Sequence, residues 1–210
     1  MLDRIFNVDN PVFRAINTIG KIFLLDMLWL ICSIPIFTMG ASTTALIYAC
    51  MKIKDDEGYV TSNFFKSFKE NFKQSTAIFL IYLVVGIVLA ADFILGNQVE
   101  NRNFGLALQI GAGVIAIPYF LSLLYVFGVQ SRFVNPVKNT IRYAFFMSLR
   151  NMKTTIQMAI LMILFVWVNT TVLLANFLSL IYGVGLMGYF FAFYYRQAFK
   201  KYLNLENEGE

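Results

Sequence analysis

Four long apolar stretches run along the chain, and short clusters of polar and charged residues separate them. The longest, Thr154 to Tyr195, contains no charged residue. As one straight helix it would measure ~63 Å, about twice the hydrocarbon thickness of a bilayer. It must therefore fold back on itself. The plausible turn residues are polar: Asn169, Thr170, Thr171 and Asn176.

Two further stretches, Ser75 to Leu95 and Phe104 to Gly128, are joined by the polar loop 96–103 and bring the predicted spans to four. The N-terminal stretch, 22–51, is interrupted by Pro35 and allows two interpretations. It is either one kinked span, or a helix from about residue 11 to 34 that turns through 35–39 and returns as a second helix over about 40–56.

The basic residues favour the second interpretation. Basic residues prefer the cytoplasmic side of a membrane. The segments 52–73 and 132–153 each hold five of them and lie on one side, together with the basic C-terminal segment. If the N-terminal stretch crosses twice, Arg4, Arg14 and Lys21 join them, and of the 17 basic residues only Arg102 lies outside. We therefore expect six spans, with five as the alternative, and both termini in the cytoplasm.

Composition agrees with a membrane protein. Of 210 residues, 59% are hydrophobic and only 14% are charged, whereas a soluble domain carries about 25% charged residues. The predicted fold class is an all-α, polytopic helical protein of the cell membrane, with the lipid bilayer as its first partner. Its net charge of +5 is explained by the basic cytoplasmic segments, and no nucleic-acid partner is expected.

The two basic segments resemble each other. Both follow the pattern Phe-Phe-x-Ser-apolar-basic-Asn-apolar-Lys, with one gap at Glu70. Upstream, Ile34-Pro35-Ile36-Phe37 is echoed by Ile117-Pro118-Tyr119-Phe120. We infer a possible parallel internal repeat, with halves 22–95 and 104–175 and a final transmembrane helix over 177–197.

Each copy of the pattern predicts an amphipathic helix at the cytoplasmic interface, with apolar side chains in the acyl boundary and cations toward the headgroups. Such helices either anchor the spans or form a docking surface for a partner. The candidate interface residues are Phe64, Phe65, Phe68, Lys69, Phe72 and Lys73 in the first copy, and Phe145, Phe146, Leu149, Arg150 and Lys153 in the second.

Two acidic residues, Asp26 and Asp92, lie within the apolar stretches. A charged group inside a membrane is costly and is by default a functional candidate with a partner to be named. Asp26 could pair with Lys21 or with another intramembrane polar group, as a structural contact or as a proton or ion site. Asp92 lies near the outer end of its span, where it can reach water.

Catalysis is not indicated. The chain has no histidine, so a histidine base or metal ligand is excluded, and two cysteines are too few for a thiolate zinc site. No phosphate-binding glycine loop followed by lysine and a hydroxylic residue is present. We expect no catalytic residue, no metal and no cofactor, and no small-molecule ligand can be assigned.

Several blocks of the chain resemble one known family. They are the segments 10–14, 28–46, 56–59 and 64–74, of which Ser33-Ile34-Pro35-Ile36-Phe37-Thr38-Met39-Gly40-Ala41-Ser42-Thr43-Thr44-Ala45 is the most specific. Together they are similar to the YesL-like family of small membrane proteins from Gram-positive bacteria, a family of unknown function. The resemblance extends over nearly the whole chain.

Members of that family are typically encoded beside ABC importers for oligosaccharides. The resemblance therefore implies a non-enzymatic accessory membrane subunit of a carbohydrate importer, with the permease subunits as partners. It carries no site residues with it. Two alternatives stay open: a small stand-alone transporter or channel that uses Asp26, and a membrane regulator of sugar utilisation.

Overall fold

A computed structural model describes residues 11–55 and 57–207, and within them the chain forms helices and no strand. The helices, in chain order, are α1 (Pro11–Cys32), a short 3₁₀ helix (Ile36–Thr38), α2 (Met39–Asp55), α3 (Val60–Gln98), α4 (Arg102–Arg132), α5 (Val137–Arg150), α6 (Met152–Thr171) and α7 (Leu173–Asn207). Three residues named or included above lie outside the described residues. They are Arg4, from the charge pattern, and Asn10 and Asp56, from the segments that resemble a known family.

Among the described residues, five helices are long and apolar enough to cross a membrane: α1, α2 with its preceding 3₁₀ turn, α3, α4 and α6. Helix α7 bends by 73° between Leu173–Ser179 and Ile181–Lys200, and its two arms taken together make a sixth. The all-α, polytopic fold class with five to six spans is confirmed. The predicted turn is confirmed as well, because α6 ends at Thr171.

The N-terminal stretch forms two helices, as the charge pattern favoured. Helix α1 ends at Cys32, and the turn that follows contains Pro35, which has no N–H group to continue a helix. Thr38 closes the turn, because its Oγ1 lies 2.5 Å from the carbonyl oxygen of Cys32 and 2.6 Å from that of Pro35, and its single hydroxyl hydrogen can bond to either. The chain then returns as α2.

Helix α2 lies at the centre of the bundle and contacts α1, α3, α4 and α7. Its buried side is built mainly from small residues: Gly40, Ala41, Ser42, Thr44, Ala45, Ala49 and Cys50. Small side chains let helix backbones approach closely, which is how helices pack where lipid removes the hydrophobic driving force. At Gly40 a Cβ atom would overlap the carbonyl oxygen of Ser75 in α3.

Helices α2, α4 and α7 run in the same direction and end close together. Asp55 at the end of α2 forms an ion pair with Arg196 of α7, and the Tyr195 hydroxyl donates to the Leu124 carbonyl of α4. We call this end of the bundle the basic end, since Lys52, Lys54, Arg132, Arg196 and Lys200 lie there. The buried cluster around Leu46, Phe64, Tyr125, Val129 and Tyr195, which adjoins it, is the core.

A second region extends away from the core. Residues 83–98 of α3 and 102–118 of α4 pack mainly against each other, and we call them the α3–α4 arm. Of its residues only Gly105 and Ala112 are buried. Its two helices meet at Gly96 and Gly105, where a Cβ atom on Gly105 would overlap the Gly96 carbonyl oxygen.

The two copies of the basic pattern differ in structure. The second copy contains a separate amphipathic helix, α5, and a break at Asn151 (φ −111°, ψ 48°) before α6. The prediction of a separate interfacial helix in the first copy is wrong, because that segment continues without a break as the start of α3, ~58 Å long. The break in the second copy falls at the position of the one-residue gap opposite Glu70.

The two proline-containing segments upstream of the pattern, which resemble each other in sequence, also differ in structure. Pro35 lies in the turn between α1 and α2, whereas Pro118 lies inside α4. A proline inside a helix removes one backbone hydrogen bond. In a membrane protein this is tolerated because groups on neighbouring helices can pair with the backbone group left free. The division into repeat halves stays a prediction, and any ancestral symmetry has diverged at both the turn and the amphipathic segment.

Candidate functional site

Asp26 belongs to α1 and is fully buried where this helix packs against α7. Its Oδ1 accepts a hydrogen bond from the backbone N–H of Gly185. The approach requires a glycine, because a Cβ atom at position 185 would lie 2.8 Å from the Ile22 carbonyl oxygen and 3.2 Å from the Asp26 Cβ. The sequence predicts Lys21 or another polar group as the partner of this carboxylate. In the structure its partner is another polar group, the backbone N–H of Gly185.

The bend in α7 lies between Ser179 and Ile181, so Gly185 belongs to the arm Ile181–Lys200, one turn beyond the bend. The other carboxylate oxygen of Asp26, Oδ2, is buried and has no hydrogen-bond partner among the described residues. Asp26 therefore joins two helices and keeps one unused acceptor.

Asp92 is half-buried in the α3–α4 arm, six residues before α3 ends at Gln98. The neighbouring polar groups Asn97 and Gln109 bridge α3 and α4, with Gln109 Nε2 donating to Asn97 Oδ1 at 2.9 Å. Asn97 is exposed and Gln109 is half-buried. That Asp92 reaches water at this end of the span stays a prediction.

A buried polar network joins the first pattern segment to α4 and α5. Its centre is Gln130, which is 2% exposed. The Gln130 side-chain amide donates to Asn71 Oδ1 (3.0 Å) and to Gln74 Oε1 (2.7 Å), and its oxygen accepts from the Thr140 hydroxyl (3.1 Å). Asn71 in turn donates to the Ser67 carbonyl oxygen. Because these side-chain groups are paired with one another, the network fixes how the three helices meet.

The second pattern segment has its own buried hydroxyl contacts. Thr155 is 2% exposed and its Oγ1 lies 3.1 Å from the Tyr125 hydroxyl and 2.7 Å from the Ser148 carbonyl oxygen, to which it donates. At the corresponding position of the first copy, Ser75 hydrogen-bonds Thr44 of α2 at 2.9 Å. In both copies the last hydroxylic residue of the pattern ties the following span to an earlier helix.

Not all of the first-copy residues predicted at the interface lie at the surface. Phe64 is fully buried in the core, so the prediction that it faces the interface is wrong. The reason is that Phe64 lies on the same side of α3 as Asn71 and Ser75, which face inward because they hydrogen-bond to Gln130 of α4 and Thr44 of α2. Phe68 and Phe72 are half-buried, and the Phe68 ring stacks on that of Phe64 and meets that of Phe72 edge-on. Phe65, Lys69 and Lys73 are exposed.

The second-copy residues remain largely at the surface. Phe146 is 53% exposed and Leu149 42% exposed, and Arg150 and Lys153 are also exposed, while Phe145 is half-buried. Phe146, Leu149 and Arg150 border a cavity of about 680 Å³ between α5 and the end of α4. We call it the α5 groove. Its other lining residues are Val129, Phe133, Asn135, Tyr143 and Met147.

Sequence reasoning missed Gln130 and Thr140, the partners that hold α4 and α5 to the first copy. A signal for them was available in part. The Ser and Asn of the pattern stand at matching positions in both copies, but a pattern along the chain does not show which residues of other helices they contact. The partner of Asn71, Gln130, lies 59 residues away in the chain, so only the folded structure reveals it.

The comparison with protein families gives one result. A family described as "Protein of unknown function, DUF624" matches residues 22–93 of this chain, about a third of its length. The matched stretch contains Asp26, the Pro35 turn, all of α2 and most of α3. No curated protein and no solved structure matches the chain. The similarity thus covers the first pattern segment and leaves α4 to α7 outside it.

Proposed function

We propose that this chain is a non-enzymatic accessory membrane protein that packs against the permease subunits of a carbohydrate ABC importer, with both termini in the cytoplasm. The sequence blocks that resemble the YesL-like family suggest the importer. The observation that carries a docking role is the α5 groove, where apolar side chains are exposed on a helix whose neighbours are fixed by buried polar contacts.

The chemistry of the groove defines the partner segment. Phe146, Leu149 and Tyr143 offer apolar surface, and Arg150 stands at its edge. Large aromatic side chains and arginine are the groups that contribute most to binding between proteins. The fitting partner is therefore an amphipathic helix of a permease that turns its apolar side to the groove, located on the cytoplasmic side.

The first experiment is affinity purification from native membranes in mild detergent. We expect the permease subunits of a carbohydrate importer to co-purify with the natural chain. Phe146→Glu should lower their recovery at least about tenfold, since a charge replaces an interface aromatic. Phe65→Glu is the matched control, because Phe65 occupies the same pattern position in the first copy but does not line the groove.

Two results would overturn this proposal. In one, no permease subunit co-purifies with the natural chain from native membranes in any mild detergent tested. In the other, importer permeases co-purify equally well with Phe146→Glu and with the natural chain, which would place the contact elsewhere.

A second candidate is a small transporter in its own right, and the unused Oδ2 of Asp26 favours it. Against it, none of the four cavities described for this structure is lined by Asp26. Asp26→Asn separates the two. The amide oxygen can still accept from Gly185, so an accessory protein should assemble and support uptake, whereas a transporter that uses this carboxylate should lose uptake.

A further inference from the structure

We infer that a cavity at the basic end, between α2, α4 and α7, binds the phosphate headgroup of an anionic phospholipid. The cavity measures about 520 Å³. Its lining combines cations with apolar side chains: Met51 and Asp55 from α2, Arg132 from α4, and Phe193, Arg196, Gln197, Phe199 and Lys200 from α7.

The charge balance of this cavity favours an anion. Three cations line it, and the one carboxylate, Asp55, is already paired with Arg196. Arg132 and Lys200 are exposed and remain available for a ligand. A fourth cation stands beside the cavity, since Lys54 Nζ lies 3.8 Å from the centre of the Tyr189 ring and 5.4 Å from that of Phe193.

Among the described residues, the acid that follows α2 does not cancel this charge. Glu57 follows α2 and is bound by Lys52. This hydrogen bond and ion pair, with a smaller contribution from the charge of Arg132, hold the pKa of Glu57 below its ordinary value. Glu57 is therefore neutralised by its own partner in the same way as Asp55. Among the described residues around the cavity the positive charge is in excess.

The surface of α7 identifies a lipid rather than a free anion. Leu186, Phe190 and Phe193 are spaced by four and three residues, so they lie on one side of the helix. All three are exposed, at 41%, 43% and 54%. Continuing the same spacing leads to Arg196, Gln197 and Lys200. One side of α7 thus passes from an apolar stripe to a cationic cavity.

That order matches the shape of a phospholipid lying along the helix. Acyl chains would cover Leu186, Phe190 and Phe193, and the phosphate would reach Arg132 and Lys200. Basic cavities between transmembrane helices recognise anionic headgroups in this way. Inorganic phosphate shares the headgroup chemistry but would make no use of the apolar stripe.

The test measures lipid binding to the purified full chain in detergent by titration with fluorescent phosphatidylglycerol. Phosphatidylcholine and inorganic phosphate are the comparison ligands. We expect phosphatidylglycerol to bind in preference to both. The double variant Arg132→Gln/Lys200→Gln should weaken its binding by about 30-fold, as expected for two cations near a membrane surface.

The matched control is Lys66→Gln/Lys138→Gln, which removes the same charge from two exposed lysines that border none of the described cavities. It should leave binding unchanged. Phe193→Ala should weaken phosphatidylglycerol binding and leave any binding of inorganic phosphate unaffected. Equal binding of phosphatidylcholine, equal competition by inorganic phosphate, or an equal loss in the control variant would each overturn the inference.

Discussion

The core and the α3–α4 arm are built from the same kinds of helix but are held together differently. In the core, α2 is enclosed on several sides, and buried Gln130, Ser75 and Thr155 hydrogen-bond to other helices. In the arm, two apolar helices meet chiefly at Gly96 and Gly105, and their other side chains are mostly exposed.

The difference shows what hydropathy can and cannot reveal. A bilayer solvates the apolar surface of the arm, so its helices need only be long and apolar to be stable there. The core needs specific partners, because lipid offers no hydrophobic force to press helices together and packing and hydrogen bonds must do so. Substitutions should therefore be far more harmful in the core than at chemically matched positions in the arm.

The largest effect is expected at Gly40. Gly40→Leu would force a side chain into the Ser75 carbonyl of α3, which is backbone and cannot move aside, so stability should fall by about 3 kcal/mol or more. Gly111→Leu in the arm is the control, because no atom of another helix lies within 4 Å of a Cβ there. Unfolding in mixed dodecylmaltoside and dodecyl sulfate micelles measures both, and equal losses would contradict the comparison.

A smaller but clear effect is expected at Gln130. Gln130→Leu leaves Asn71, Gln74 and Thr140 without their buried partner, at a cost of about 2–4 kcal/mol in the free energy of unfolding. Gln109→Leu removes one exposed hydrogen bond in the arm and should cost under about 1 kcal/mol. The same micelle titration compares the two, and a Gln130→Leu variant as stable as Gln109→Leu would show that the network contributes little.

The smallest effect on folding is expected at the α5 groove. Phe146 is more than half exposed, so Phe146→Glu should change the free energy of unfolding of the isolated chain by less than about 0.5 kcal/mol. Thermal unfolding of the purified variant checks this. A large loss would mean that Phe146 belongs to the core, and its effect on co-purification could then no longer be attributed to docking.

Much of the architecture could be predicted from apolar length and charge. The turn at Pro35 followed from a residue that cannot continue a helix, and the turn after Thr171 followed from a stretch too long for one span. These features depend on local chemistry and on the thickness of a bilayer, both of which can be read along the chain.

The candidate sites could be predicted only in part. Asp26 stood out because acids are rare in apolar stretches, but its partner, the N–H of Gly185, lies 159 residues away. The apolar side chains of the first copy predict Phe64 at the interface. Hydrophobicity along the chain does not show that Asn71 and Ser75 have partners in other helices, and those partners decide which side of α3 faces inward.

The accessory role is tested most directly by photo-crosslinking in native membranes. A photoreactive phenylalanine analogue is placed at Phe146 in the α5 groove or, as the control, at Ile110, a more exposed apolar position of the arm (66% against 53%). We predict crosslinks from position 146 to the permease subunits of a carbohydrate importer, and none to them from position 110. No permease crosslink from position 146, or the same crosslinks from both positions, would contradict the account.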